Sequence, residues 1–126
     1  MSMTKIHLSS EIEWQIVKYL WKHEESTVRE IWENLFPEEE RAYTTVQTYL
    51  ERMVEKNILQ KKKTGPVNLY SARISEKEGL SQATSSFVDK AFDGSFATLA
   101  NFLIRSKKLK QEDIDELRKL LEGEDS

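Results

Sequence analysis

The chain has 126 residues, enough for one domain or one domain with a small appendage, and its 38% hydrophobic and 33% charged residues suit a small helical protein. It contains no cysteine, which excludes disulfides, thiolate metal sites and cysteine nucleophiles together. A formal net charge of −3 argues at first against a nucleic-acid partner, but binding depends on local charge. Residues 44–63 carry five cations against two carboxylates, and residues 111–126 carry two cations against seven. A basic segment and an acidic tail on one short chain suggest a division of labour. No apolar run approaches the roughly 20 residues of a membrane span, and MSMTKIHLSSEIE has no apolar signal core. The expectation is a cytoplasmic protein without membrane insertion.

Ser10-Glu11-Ile12-Glu13 is a capping box that opens a first helix, with Ile12, Ile16, Tyr19 and Leu20 as its buried stripe and Trp14, Val17 and Trp21 on the flanks. Thr27-Val28-Arg29-Glu30 is a second box. It starts a shorter helix through Val28, Ile31, Trp32 and Leu35, stopped at Phe36-Pro37 because proline cannot continue the ladder. The acidic loop PEEER leads to a third helix over 44–57, with Val46, Tyr49, Leu50, Met53 and Val54 apolar and Asn57 as a left-handed stop. Residues 58–63 read as a strand, 64–67 as a turn and 68–72 as a returning strand. Three short helices and a hairpin are the order of a winged helix-turn-helix, in which the third helix can lie in a DNA major groove.

Beyond Ile74 the character changes. Ser75-Glu76-Lys77-Glu78 is a third box, followed by a stripe of Leu80, Ala83 or Thr84, Phe87 and Ala91, broken at Asp93-Gly94. Phe96, Leu99, Ala100, Phe102 and Leu103 form a second stripe, and Ile114, Leu117, Leu120 and Leu121 a third, separated by the basic link Arg105-Ser106-Lys107-Lys108. Three short amphipathic helices in about 50 residues are near the lower limit for closing a core alone. The expected class is therefore mainly α with a small β-hairpin. A winged-helix DNA-binding domain over 1–74 precedes a helical dimerisation domain over 75–126, and a two-fold homodimer is favoured over packing back on the first domain. Leu80, Phe87, Phe96, Leu99, Leu103, Ile114, Leu117, Leu120 and Leu121 are its candidate dimerisation residues.

The polar face of the third helix is unusual. Solvent faces normally carry Glu and Lys, whereas here Tyr43, Thr44, Thr45, Gln47, Thr48 and Tyr49 crowd the first turns. Short hydroxyls and an amide suit phosphates and base edges. Thr44 or Thr45 can donate to a phosphate beside the helix N-terminus, Gln47 can pair bidentately with adenine, and the Thr48 methyl can pack on thymine. Arg52 lies two turns on, in reach of a phosphate, and Lys61, Lys62 and Lys63 would charge the wing. Plainer roles exist for each: Thr44 or Thr45 as N-cap, Gln47 and Thr48 as inert surface, Tyr43 and Tyr49 as core, the lysines as guards of an exposed strand edge. An enzyme is not expected, since His7 and His23 are isolated and neither HExxH nor a glycine-rich phosphate loop is present. No metal or cofactor is implied. The competing class is a winged-helix adaptor that binds protein without sequence-specific DNA recognition.

AYTTVQTYLERMVEKN, preceded by a helix ending in YLW and by TVREIWENL, resembles the BlaI/MecI penicillinase-repressor family, whose members share motifs close to TVREI and YTTV-x-T-x-L-x-RL-x-K-G. FDGS at 92–95 and EDIDELRKLLE at 112–122 extend the similarity from Leu8 to Glu122. It implies a dimeric repressor of palindromic operators, with Thr44, Thr45, Gln47, Thr48 and Arg52 on the recognition helix. It also implies relief of repression by cleavage at an Asn-Phe bond, here Asn101-Phe102, through a pathway headed by a membrane-bound sensor metalloprotease. The chain departs from the family in three places. The cysteine clusters of copper-responsive relatives are absent, Asn57 stands where glycine is common, and the wing tip at 64–67 lacks the arginine often found after the family's glycine. Lys61, Lys62 and Lys63 would substitute for that arginine.

Overall fold

A computed structural model of the chain describes residues 10–37 and 42–123. His7, the acidic loop residues 38–41 and the tail carboxylates Glu124 and Asp125 lie outside the described residues. The chain divides into two compact units, Met1–Thr84 and Ser85–Ser126.

The first unit begins with α1 (Glu11–His23), whose N-cap Ser10 accepts from the Glu13 amide at 3.2 Å. The Glu13 carboxylate, expected to return to that cap, is nearly fully buried and accepts from Lys56 Nζ at 2.9 Å through both oxygens. Val17, expected on a flank, belongs to the core with Ile16 and Leu20. Helix α2 (Val28–Leu35) carries the complete Thr27/Glu30 capping box, with bonds of 3.2 and 2.9 Å, and Phe36 behind it is buried. Helix α3 (Tyr43–Glu55) starts one residue earlier and ends two earlier than expected. Its chain leaves through Asn57 at φ +65°, the left-handed stop that Asn tolerates better than most residues.

Strands β1 (Leu59–Thr64) and β2 (Val67–Ala72) pair antiparallel from Leu59↔Ala72 to Thr64↔Val67. That leaves a two-residue turn with Gly65 at φ +62° in its first central position, where a side chain would be strained. The other edge of β2 exchanges two backbone bonds with Ser26, at 2.8 and 3.0 Å, which ties the hairpin to the segment between α1 and α2. Ile16, Leu20, Ile31, Val46, Leu50, Met53, Ile58, Leu59 and Tyr70 close a shared core. Three helices with this hairpin form a winged helix-turn-helix.

Helix α4 (Glu76–Phe92) opens with the reciprocal Ser75/Glu78 box, at 3.1 Å in each direction. Its Gly79 meets Trp21 so closely that a Cβ there would stand 2.6 Å from the indole ring, and the same indole donates to the Ile74 carbonyl at 2.9 Å. The first turns of α4 thus belong to the first unit. In the second unit the Asp93 and Gly94 break, both at positive φ, separates α4 from α5 (Phe96–Arg105), which is followed by α6 (Gln111–Leu121). Val88 is fully buried, while neighbouring Phe87, expected in the stripe, is 54% exposed. The Phe87, Phe92 and Phe102 rings follow one another at centroid spacings of 5.8 and 5.9 Å.

Candidate nucleic-acid interface

Helix α3 has two unlike faces. Val46, Leu50 and Met53 are buried in the core, which turns Thr44, Thr45, Gln47, Thr48 and Arg52 outward, all of them exposed. Neither Thr44 nor Thr45 caps the helix. Ala42 is the N-cap and offers no side-chain bond; the Thr45 amide donates to the Ala42 carbonyl at 3.0 Å, and the Tyr43 and Thr44 amides ahead of it have no side-chain cap among the described residues. Thr48 Oγ1 donates to the Thr44 carbonyl at 2.9 Å. Its hydroxyl hydrogen is thereby satisfied within the helix, and the methyl group is left as its outward chemistry. Arg52 lies over the Tyr49 ring at 5.8 Å.

Tyr43 is half-buried and packs edge-to-face on Trp32, with centroids 5.7 Å apart. Arg29 on α2 lies 5.9 Å from the Trp32 centroid and 5.8 Å from that of Tyr43. A groove of about 310 Å³ runs between the start of α2 (Thr27, Arg29), the start of α3 (Tyr43, Gln47) and the wing tip (Pro66, Asn68). Sequence reasoning treated Arg29 only as part of a capping box. Its position three residues before Trp32, one helical turn away, is the signal that could have shown it stacked on an aromatic.

The wing differs from expectation. Lys61 pairs with Glu51 of α3 at 3.0 Å and Lys62 with Glu25 at 3.3 Å, while Lys63 has no ion-pair partner among the described residues. The reason is strand alternation: Lys61 shares a face with Leu59, which packs against α3, and Lys62 points to the other side. Among the described residues, one of the three expected wing cations is therefore without an ion-pair partner. Glu51 also accepts a short hydrogen bond from the Tyr70 hydroxyl. That bond holds the Glu51 carboxyl below its usual value, with Lys61 adding to the effect against the opposing cost of burial. Burial first, and the Glu51 bond second, push the Tyr70 phenol well above its usual range.

The remaining expected residues lie elsewhere. Leu80 falls in the first unit, lining a cavity of about 460 Å³ with Tyr19, Trp21 and Leu35. In the second unit Phe96, Leu117, Leu120 and Leu121 are exposed, while Leu99, Leu103 and Ile114 are half-buried. Asn101 and Phe102 sit inside α5, both exposed, with Asn101 Oδ1 accepting from Arg105 Nε at 2.9 Å. His23 stacks on Tyr19 at 4.1 Å, and its Nδ1 contacts the Tyr19 carbonyl at 2.9 Å. Among the described residues no three of His, Cys, Asp and Glu gather to hold a metal ion, and no helix is long and apolar enough to cross a membrane.

The class that fold and exposed helix face define is the winged-helix regulator. The chain belongs to the penicillinase repressor family, whose model matches residues 9–123. It is 28% identical over 120 residues to the penicillinase repressor of Bacillus licheniformis, covering 95% of this chain and 94% of that protein. It is 23% identical over 117 residues to the methicillin resistance regulatory protein MecI of Staphylococcus aureus (strain N315), covering 93% and 95%. Among solved structures, the DNA-binding domain of the repressor BlaI matches with a TM-score of 0.52 at 32% identity, covering 60% of this chain and 93% of that one. The B. licheniformis BlaI monomeric form in complex with the blaP half-operator matches with a TM-score of 0.51, again at 32% identity and the same coverage.

Proposed function

We propose that this chain is a homodimeric transcriptional repressor that binds palindromic operators through α3 and the hairpin wing. The observation that carries the reading is the outward face of α3, where Thr44, Thr45, Gln47 and Thr48 stand exposed on a helix whose other face is sealed into the core. Membership of the penicillinase repressor family supports it. In the complex, Gln47 reads adenine, the Thr48 methyl packs on thymine, and Thr44, Thr45, Arg52 and Lys63 hold phosphates together with the uncapped amides of α3.

Dimerisation falls to the C-terminal helices. Their Phe87, Phe96, Leu117, Leu120 and Leu121 are large apolar side chains left exposed, and a second copy would cover them. Relief of repression by cleavage between Asn101 and Phe102, downstream of a membrane-bound metalloprotease receptor, completes the reading. Helix α5 contains no buried residue, so the local opening that a protease needs costs little there. Cleavage would detach α6 and the end of α5 and so weaken a two-half-site complex.

The test is to incubate the purified protein with sheared DNA from its source genome and sequence what is retained. A few fragments sharing a palindrome, with half-sites about one helical turn or slightly more apart, is the expected result. Retention without any shared motif, by a folded dimer, would replace the repressor with the protein-binding adaptor.

A further inference from the structure

We infer that Arg29, held against the Trp32 and Tyr43 rings beside the groove between α2, α3 and the wing, is a clamp on a DNA backbone phosphate. The inference deepens the operator-binding reading and rests on it. Arg29 belongs to the helix before the recognition helix, which in helix-turn-helix proteins crosses the backbone while the next helix enters the groove. Gln47, the base reader, lines the same groove, so the Arg29 side chain stands at the edge of the surface that meets the duplex.

The geometry prepares this guanidinium for a bidentate anion. Its carbon lies 5.9 and 5.8 Å from two aromatic centroids that are themselves packed edge-to-face, which limits its freedom before any ligand arrives. Its fork of five N–H donors makes one ion pair among the described residues, Nη1 to Glu33 at 3.3 Å, between side chains that are 65% and 57% exposed. An exposed pair of that kind contributes little and exchanges readily for a phosphate, which can accept two parallel bonds. The charge is also needed at this face. Lys61 and Lys62 are tied to carboxylates, which leaves Arg52 and Lys63 as the expected contacts without an ion-pair partner among the described residues.

Affinity of the full chain for a mixed-sequence duplex of about 30 base pairs, measured across a series of salt concentrations, tests the inference. Arg29→Gln is expected to make the slope of log K against log salt shallower by about one for each protomer bound. Affinity near 0.15 M salt should fall roughly fivefold, while Arg29→Lys keeps the slope. A folded Arg29→Gln protein with the parent's slope overturns the clamp and leaves the repressor reading standing. A parent protein with no salt-dependent duplex binding overturns both. On the unaltered protein, phenylglyoxal modification of Arg29 read by mass spectrometry should slow at saturating duplex, and equal rates with and without duplex would overturn the clamp whatever the variants' folding.

Discussion

The first compact unit and the second begin from similar amphipathic helices and reach different ends. In the first, twelve described apolar side chains from three helices and a hairpin seal one another into a core. In the second, neither α5 nor α6 has a buried residue, and Leu121 is 88% exposed. The difference lies in the hairpin: β1 and β2 supply Leu59 and Tyr70 as a lid over the helix faces, and the second unit has no such lid among its described residues. An apolar stripe thus specifies a helix and its sticky face, but the covering surface must come from elsewhere. A unit whose cover is a second copy has a stability that depends on protein concentration, whereas a self-sealed one does not.

The largest effect that would sharpen this contrast is in the sealed unit. Ile16→Ala should cost about 2–5 kcal/mol, read as a lowered Tm that is the same at every protein concentration. A concentration-dependent loss there would erase the distinction between the units. Next comes the outward face of the same unit, where Gln47→Ala should cost about 1–3 kcal/mol on the cognate operator and little on random DNA, by fluorescence titration. Equal losses on both would reduce Gln47 to a non-specific contact.

Tyr70→Phe should cost about 1–2 kcal/mol, a hydrogen bond to a charged group discounted because Glu51 is 40% exposed. The pH profile should change with it. Glu51 is depressed below 4.5, so its contribution is present above that value and is lost as pH falls through the lower folded value. Tyr70 is raised, so its contribution is complete below pH 10 and declines as pH climbs toward the higher folded value. Denaturant titrations of Tyr70→Phe should show a flatter alkaline limb and also a shallower acid limb, because the Glu51 carboxyl then sits closer to its unfolded value and loses less on protonation. The smallest effect belongs to the open unit. Leu120→Ala should change stability by less than about 0.5 kcal/mol at high dilution, with a larger loss only where the protein is concentrated enough to associate, by sedimentation and thermal melts together. A large loss at high dilution would mean that Leu120 is already covered in the monomer.

The fold was readable where physics acts over three or four residues. The boxes at Thr27/Glu30 and Ser75/Glu78, the Asn57 stop and the Asp93-Gly94 break all act locally, and all stand where the pattern puts them. Mainly helical architecture with one hairpin followed from those signals. What the pattern missed depends on residues far apart in the chain. Lys56 with Glu13, Lys61 with Glu51 and Lys62 with Glu25 are pairs made by folding, and because Glu13 and Glu25 lie outside 44–63, a charge count over that stretch overstates the positive charge left for DNA. The outward residues of α3 were legible because burial of Val46, Leu50 and Met53 dictates where their neighbours point. Arg29 was legible only in part: its spacing from Trp32 is local, but nothing local says that Tyr43 will come to rest beside that ring.

Glu51 sits on the helix that carries the outward residues, yet it is bonded to the hairpin through Tyr70 and Lys61. The helix is thus divided along its length into lettering and a hinge pin. If α3 reads an operator as proposed, positions 44, 45, 47 and 48 can be rewritten for a new one while Glu51 keeps its bonds to the hairpin. Libraries that randomise the whole helix would spend most of their members on loose wings, whereas libraries that leave Glu51 alone would vary only the message.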